Sequence, residues 1–114
     1  MTLRQKQVKF AQMVATLIAR AFELGYEVTL GDAYRDPRVH GEVGESKVRY
    51  GHPKSCHKIR LAIDLNLFRE GVYLQGEKGY KELGEWWELQ GGTWGGRFSQ
   101  SDPNHYSLSW EGMK

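Results

Sequence analysis

Residues 61–68 read Leu-Ala-Ile-Asp-Leu-Asn-Leu-Phe, the segment that most restricts how this chain can fold. Side chains alternate across a strand, so Ile63, Leu65 and Leu67 share one face, and Ala62, Asp64 and Asn66 the other. A strand this apolar on one side belongs near the centre of a sheet, with that side on a core. Its reverse face then carries a carboxylate beside a small residue. Arg69-Glu70-Gly71 reads as a turn, and residues 72–74 as the returning arm of a hairpin. Residues 26–33 read as a further strand, with Val28 and Leu30 facing one way.

Two helices flank these strands. Residues 2–24 place Phe10, Met13, Val14, Leu17, Ile18, Ala21 and Phe22 at three and four spacing. Thr2 and Gln5 form a capping box, and Gly25 suits a left-handed stop. Residues 78–90 suit a second helix with Leu83, Trp86, Trp87 and Leu89 as its apolar content. Trp86 and Trp87 are neighbours, so at most one can face the core. Gly84 is an unfavourable helix residue, and Gly91-Gly92 ends the segment. Residues 93–96 and 105–110 are the last extended pieces. Between 36 and 56 the pattern dissolves into glycines, prolines and charges. A stretch of that length without periodicity is read as a cleft-edge loop. The mixture predicts an α+β fold, with an antiparallel sheet and helices packed on one face.

Length and composition set bounds. A chain of 114 residues is read as one domain over residues 1–114, burying roughly two-thirds of its unfolded surface. One cysteine, Cys56, excludes an internal disulfide. A buried free thiol is expected there. A net charge of +2 gives no case for nucleic acid. No apolar run approaches the roughly 20 residues of a membrane span. The first residues carry charges but no apolar stretch after them, so they do not read as a secretory signal.

The polar face of the 61–68 strand is where chemistry first shows. His57 lies seven residues before Asp64, and His105 follows in Asp102-Pro103-Asn104-His105. Two histidines and a carboxylate are a common catalytic zinc set. Three protein ligands leave a fourth position for water, whose pKa then falls to roughly 7. A nearby carboxylate must accept the water's proton, and a turn would bring Asp102 to the same mouth as His105. By spacing alone, four histidines offer such sets by chance. Surface histidines, a hydrogen-bonded strand aspartate and a turn aspartate before Pro103 remain open. Cys56 is discounted as a ligand, because neighbours on an extended chain point opposite ways. His40 and His52 have no matching motif.

The wording of the segments goes further. Ser55-Cys56-His57-Lys58-Ile59-Arg60-Leu61-Ala62-Ile63-Asp64-Leu65 resembles the S-x-H-x-x-G-x-A-x-D-L signature of the zinc D-alanyl-D-alanine carboxypeptidase family. Asp102-Pro103-Asn104-His105 resembles its second signature. The run 60–68 and Trp94-Gly95-Gly96-Arg97-Phe98 look closer to the bacteriophage L-alanyl-D-glutamate endopeptidase branch, the endolysins. The resemblance implies a hedgehog/D-Ala-D-Ala peptidase-like fold with the metal site on the sheet face opposite the helices. His57, Asp64 and His105 would hold Zn2+, and Asp102 would be the catalytic base. Arg35, otherwise an ion-pair partner for Asp32 or Asp36, would steady the oxyanion. Ser55 matches a residue expected to touch substrate. Trp94, beside two glycines, is read either as a substrate-binding cleft residue or as core. Arg60 departs from the signature glycine.

The resemblance implies hydrolysis of peptidoglycan stem peptides by a monomer. It further implies synthesis in the host cytoplasm and release at lysis through a separate pore protein. Two alternatives stay open. One is a D-alanyl-D-alanine carboxypeptidase or dipeptidase on the same scaffold. The other is a wall-binding module with a structural metal, although a structural zinc is usually closed by four ligands.

Overall fold

The computed structural model describes residues 1–47 and 52–114. Residues 48–51 of the expected cleft-edge loop lie outside the described residues. The first element is helix α1, Leu3–Glu23. Its capping box is complete: Gln5 N donates to Thr2 Oγ1 at 3.2 Å, and Thr2 N donates to Gln5 Oε1 at 2.8 Å. Gly25 takes φ 88° just past its end, the left-handed geometry that glycine adopts without a Cβ clash. Phe10, Leu17 and Ala21 are its buried residues.

Five strands follow in one antiparallel sheet: β1 Glu27–Leu30, β2 Ala62–Arg69, β3 Val72–Tyr73, β4 Thr93–Trp94 and β5 His105–Ser107. Their order is β1-β2-β5-β4, and β3 pairs with the end of β2. The alternation in β2 sets the two faces. Leu65 and Leu67 are wholly buried, while Asp64 and Asn66 are half-buried on the reverse. The apolar face packs with Leu17 of α1 and with Tyr80, Leu83 and Trp87 of helix α3, Gly76–Leu89. Both long helices therefore serve one face, and the other carries Asp64. Along its edge, β2 leaves a gap between β5 and β3. There Leu65 N donates to Asn104 O at 2.9 Å, and Leu67 N donates to the Tyr80 hydroxyl at 3.1 Å.

Several segments differ from their expected form. The first strand spans 27–30 rather than 26–33, and Leu30 at its end is 67% exposed. Beyond it, Gly31 N donates to Asp64 O and Asp64 N donates to Asp32 O, so the pairing continues without regular strand geometry. The 36–56 stretch contains a short helix α2, Pro37–His40, capped by Asp36. A 3-10 helix follows at Cys56–Ile59. Residues 95–97 are 3-10 rather than extended, and β5 stops at Ser107. Trp87 is fully buried and Trp86 only partly, as adjacency in a helix requires. Leu89 is 82% exposed and contributes nothing to the core. Gly84 earns its place in α3, because a Cβ there would overlap the Trp94 ring.

Candidate metal centre

The three expected ligands converge on the outer face of the sheet. His57 arrives on the 3-10 helix, whose first residue is capped by Ser55: His57 N donates to Ser55 Oγ at 3.2 Å. Asp64 comes from β2, and His105 stands directly opposite it on β5. One donor atom from each lies within 4.8 Å of the other two. His57 Nε2 is 3.1 Å from Asp64 Oδ1, and His105 Nδ1 is 3.7 Å from the same oxygen. Bonds of about 2.0–2.2 Å to a tetrahedral zinc separate neighbouring donors by about 3.3–3.6 Å. The observed spacings bracket that value.

Donor chemistry also fits a cation. His57 Nδ1 lies 2.7 Å from the Ala33 carbonyl, which can only accept, so Nδ1 carries a proton there and Nε2 is the ring atom that faces Asp64. Burial pushes the Asp64 carboxyl up, but the His105 and His57 rings outweigh it and hold the group at about 2. The carboxylate is thus ionised through the neutral range. His105 is buried, and its Nε2 has no hydrogen-bond partner among the described residues. Its Nδ1 lies beyond hydrogen-bond reach of Asp64 and of Asp102, whose Oδ2 is 3.9 Å away. A divalent cation among the three side chains would engage His105 at Nδ1, the nitrogen that faces Asp64.

Asp102 sits at the mouth through a turn in which His105 N donates to Asp102 O at 3.1 Å. Its pKa is raised, chiefly by burial and then by the Asp64 charge, against the pull of His105, His57 and Arg35. Gly95 makes room for this turn. A Cβ there would overlap the Asp102 carbonyl and lie 2.7 Å from His105 Cβ. Gly95 thus admits the protein's own chain, while a Cβ at Gly96 would overlap the Trp94 ring.

Arg35 is buried beside the trio, with its Nε donating to Asp32 Oδ2 at 3.3 Å and a terminal nitrogen donating to Ser55 Oγ at 3.2 Å. The ion pair with Asp32 and the position in the cleft thus coexist. Ser55, expected against substrate, is 5% exposed, and its hydroxyl oxygen serves Arg35 and His57 N. Ser55 also borders the cleft. Trp94 belongs to the core and also borders the cleft: it is 1% exposed, and its indole N–H donates to Pro103 O at 2.6 Å. Cys56 is the buried thiol expected, pushed up to about 12 by burial.

A cleft of about 1510 Å³ covers the trio. Its lining extends from Gly31, Asp32 and Arg35 past Phe98 and residues 99–102 to residues 111–114. His52 borders it, with its Nδ1 accepting from Lys54 N. Two contributors escaped the sequence reading. Lys58 is buried, and its ammonium donates to the Glu42 and Glu45 carbonyls, tying the 41–47 loop to the residue after His57. Asn104 reaches from the second motif to β2, its amide nitrogen donating to Asn66 Oδ1 at 3.1 Å. The period-two reading put Asn66 on the Asp64 face, but nothing in the sequence paired it with Asn104.

The profile of the family described as D-alanyl-D-alanine carboxypeptidase matches residues 49–108, just over half of the chain. The chain belongs to this zinc peptidase family. Among solved structures, the Serratia marcescens L-Ala D-Glu endopeptidase ChiX superposes with a TM-score of 0.57 at 20% identity. The match covers 82% of this chain and 75% of that one, a likeness of fold. A comparison with curated proteins gave no match. The family supports a metallopeptidase acting on peptidoglycan. No helix among the described residues is long and apolar enough to cross a membrane.

Proposed function

We propose that residues 1–114 form one catalytic domain, a zinc-dependent endopeptidase that cuts the L-alanyl-D-glutamate bond of peptidoglycan stems. The observation that carries this is the convergence of His57, Asp64 and His105 on the floor of a long cleft, with Asp102 and Arg35 beside them. A zinc ion held by that trio would supply Lewis acidity to the scissile carbonyl and acidify the attacking water. Asp102 takes the proton of that water and returns it to the leaving amine, a task suited to a carboxylate with a raised pKa. Arg35, fixed by Asp32 and Ser55, presents a cation to the oxygen that becomes negative, which favours the transition state over the ground state.

The cleft bears on the bond that is cut. Sites for small molecules run to about 300–1,000 Å³, and this cleft, at about 1510 Å³, is larger. Such a size supports binding within a chain rather than at its end. The family description favours the second reading, a D-alanyl-D-alanine carboxypeptidase. The set of three ligands supports catalysis over a closed structural metal site. In the biological role we infer, a monomeric endolysin accumulates in the host cytoplasm and reaches the wall through a separate pore protein at lysis.

Mass spectrometry of muropeptides digested with the zinc-loaded protein tests the bond. Stems released from L-alanine are expected, and loss of terminal D-alanine alone would establish the carboxypeptidase instead. His57→Ala should lose zinc and activity together. Asp102→Ala should keep zinc and lose turnover, and wall lysis at the normal rate by either variant would remove the proposed site.

A further inference from the structure

The outer face of β2 does not end at the metal trio. Asn66 follows Asp64 on the same face at about 7 Å, and Phe68 at about 13 Å. Asn66 carries the amide of Asn104, as described, and Phe68 carries Tyr73 of β3 at a centroid distance of 5.3 Å, tilted 55°. Tyr73 is 46% exposed. A second, small cavity of about 100 Å³ lies in the gap between β5 and β3, lined by Tyr73, Gln75, Gly76, Tyr80, Pro103 and Asn104. Asn104 borders both this cavity and the main cleft, so the strip is continuous with the site.

Its chemistry differs from that of the main cleft. The main cleft is charged with both signs, Lys54, Arg97 and Lys114 beside Asp32, Glu88 and Glu111, and Arg97 is paired with Glu85 and Glu88. The strip along β2 offers amides and aromatic rings. The one carboxylate opposite Phe68, Glu27, accepts from Gly71 N at 2.8 Å in the neighbouring turn. Carboxamides that donate and accept, beside an exposed aromatic face, suit a neutral N-acetylated sugar. Hydroxyls and acetamido groups bond to the amides, and the C–H face of the ring lies on the aromatic.

We propose that this strip is a subsite for the glycan strand, holding the N-acetylated aminosugar that bears the stem. The inference rests on the endopeptidase reading and deepens it. In peptidoglycan the L-alanyl residue is joined to the lactyl group of the sugar. The sugar ring therefore begins about 7 Å of chain from the cut bond, two units at about 3.5 Å each. Asn66 stands at that distance from Asp64, and Tyr73 lies beyond it. The glycan then occupies the neutral strip, and the charged remainder of the stem runs over the charged main cleft.

Two measurements test this. The first is NMR titration of the protein with the peptide-free disaccharide of N-acetylglucosamine and N-acetylmuramic acid. Shifts confined to Asn66, Asn104, Phe68 and Tyr73 are expected, and their loss in Tyr73→Ala. No shifts, or shifts confined to the main cleft, would overturn the subsite whether or not the protein cuts peptides. The second compares kcat/KM for a disaccharide-linked stem with that for the free stem. A preference of about tenfold is expected, equivalent to about 1.4 kcal/mol, and it should fall toward unity in Tyr73→Ala and in Asn66→Ala. Equal rates in the wild type would overturn the subsite and leave the endopeptidase reading intact. Failure to cut either substrate, with the disaccharide still bound at Tyr73, would overturn the endopeptidase reading alone.

Discussion

Asp64 and Asp102 flank the same histidine, and their surroundings drive them in opposite directions. In Asp64 burial is outweighed by the two imidazoles, and the carboxyl is held at about 2 against 3.8 for a free aspartate. A depressed folded pKa contributes stability that is full above the unfolded value and is lost as pH falls through about 2. That contribution is roughly 2 kcal/mol. Asp102 is raised, first by burial and then by the Asp64 charge. A raised folded pKa contributes stability only below the unfolded value, and this is lost as pH rises through the folded one. At neutral pH the Asp102 carboxylate therefore opposes folding of the metal-free protein. Urea unfolding of chelated protein from pH 2 to 8 should show Asp64→Asn less stable than wild type at neutrality, and Asp102→Asn more stable. Both differences should shrink in acid. Neutral-pH shifts of the same sign in the two variants would refute this electrostatic account of the pair.

Arg60, which ends the 3-10 helix bearing His57, explains its own departure from the family signature. It takes φ 58° and ψ 34°, left-handed geometry in which glycine is at ease. A non-glycine residue there costs about 1–2 kcal/mol, and the guanidinium offsets part of this by lying 3.9 Å over the Tyr34 ring. Arg60→Gly relieves the strain, loses the stacking and adds unfolded-state entropy, so its net effect should lie within about 1 kcal/mol of zero. Arg60→Val keeps the strain, with a branched Cβ and no stacking, and should cost about 1–2 kcal/mol. Thermal unfolding of both separates the cases, and a valine variant as stable as the glycine one would contradict them. Much of the fold was legible at this scale because periodicity is local: α1 with its caps and the two faces of β2 follow from spacing, whereas α3 buries Tyr80 and exposes Leu89 against the reading. The trio was legible through its motif wording, since residues 64 and 105 meet only by sheet pairing and residue 57 arrives on a separate 3-10 helix. What stayed hidden depends on contacts across the fold. Gly84 looks like a helix defect until Trp94 is laid against it, and nothing in the spacing shows that the Ser55 hydroxyl serves Arg35 and His57 N.

At the scale of the whole molecule, stability and function meet in the metal trio. The chain has no disulfide, and its one cysteine is buried and free. The trio draws on three separate pieces of chain: the 3-10 helix at Cys56–Ile59, β2, and β5 with the turn before it. A ligand bound by the folded state and not by the unfolded one stabilises folding by mass action. At a hundredfold excess over Kd this amounts to about 2.7 kcal/mol. For a domain of 114 residues that corresponds to a rise in Tm of roughly 10 °C. Calorimetry of chelated protein titrated with zinc should show this rise. Magnesium should give little of it, because two imidazoles suit zinc, and magnesium prefers an oxygen shell. Asp64→Asn should flatten the response, and His52, which lines the cleft outside the trio, should be replaceable by alanine without flattening it. A Tm indifferent to zinc would leave the fold and the family assignment standing. It would remove the ion from the site, and the proposed catalysis with it.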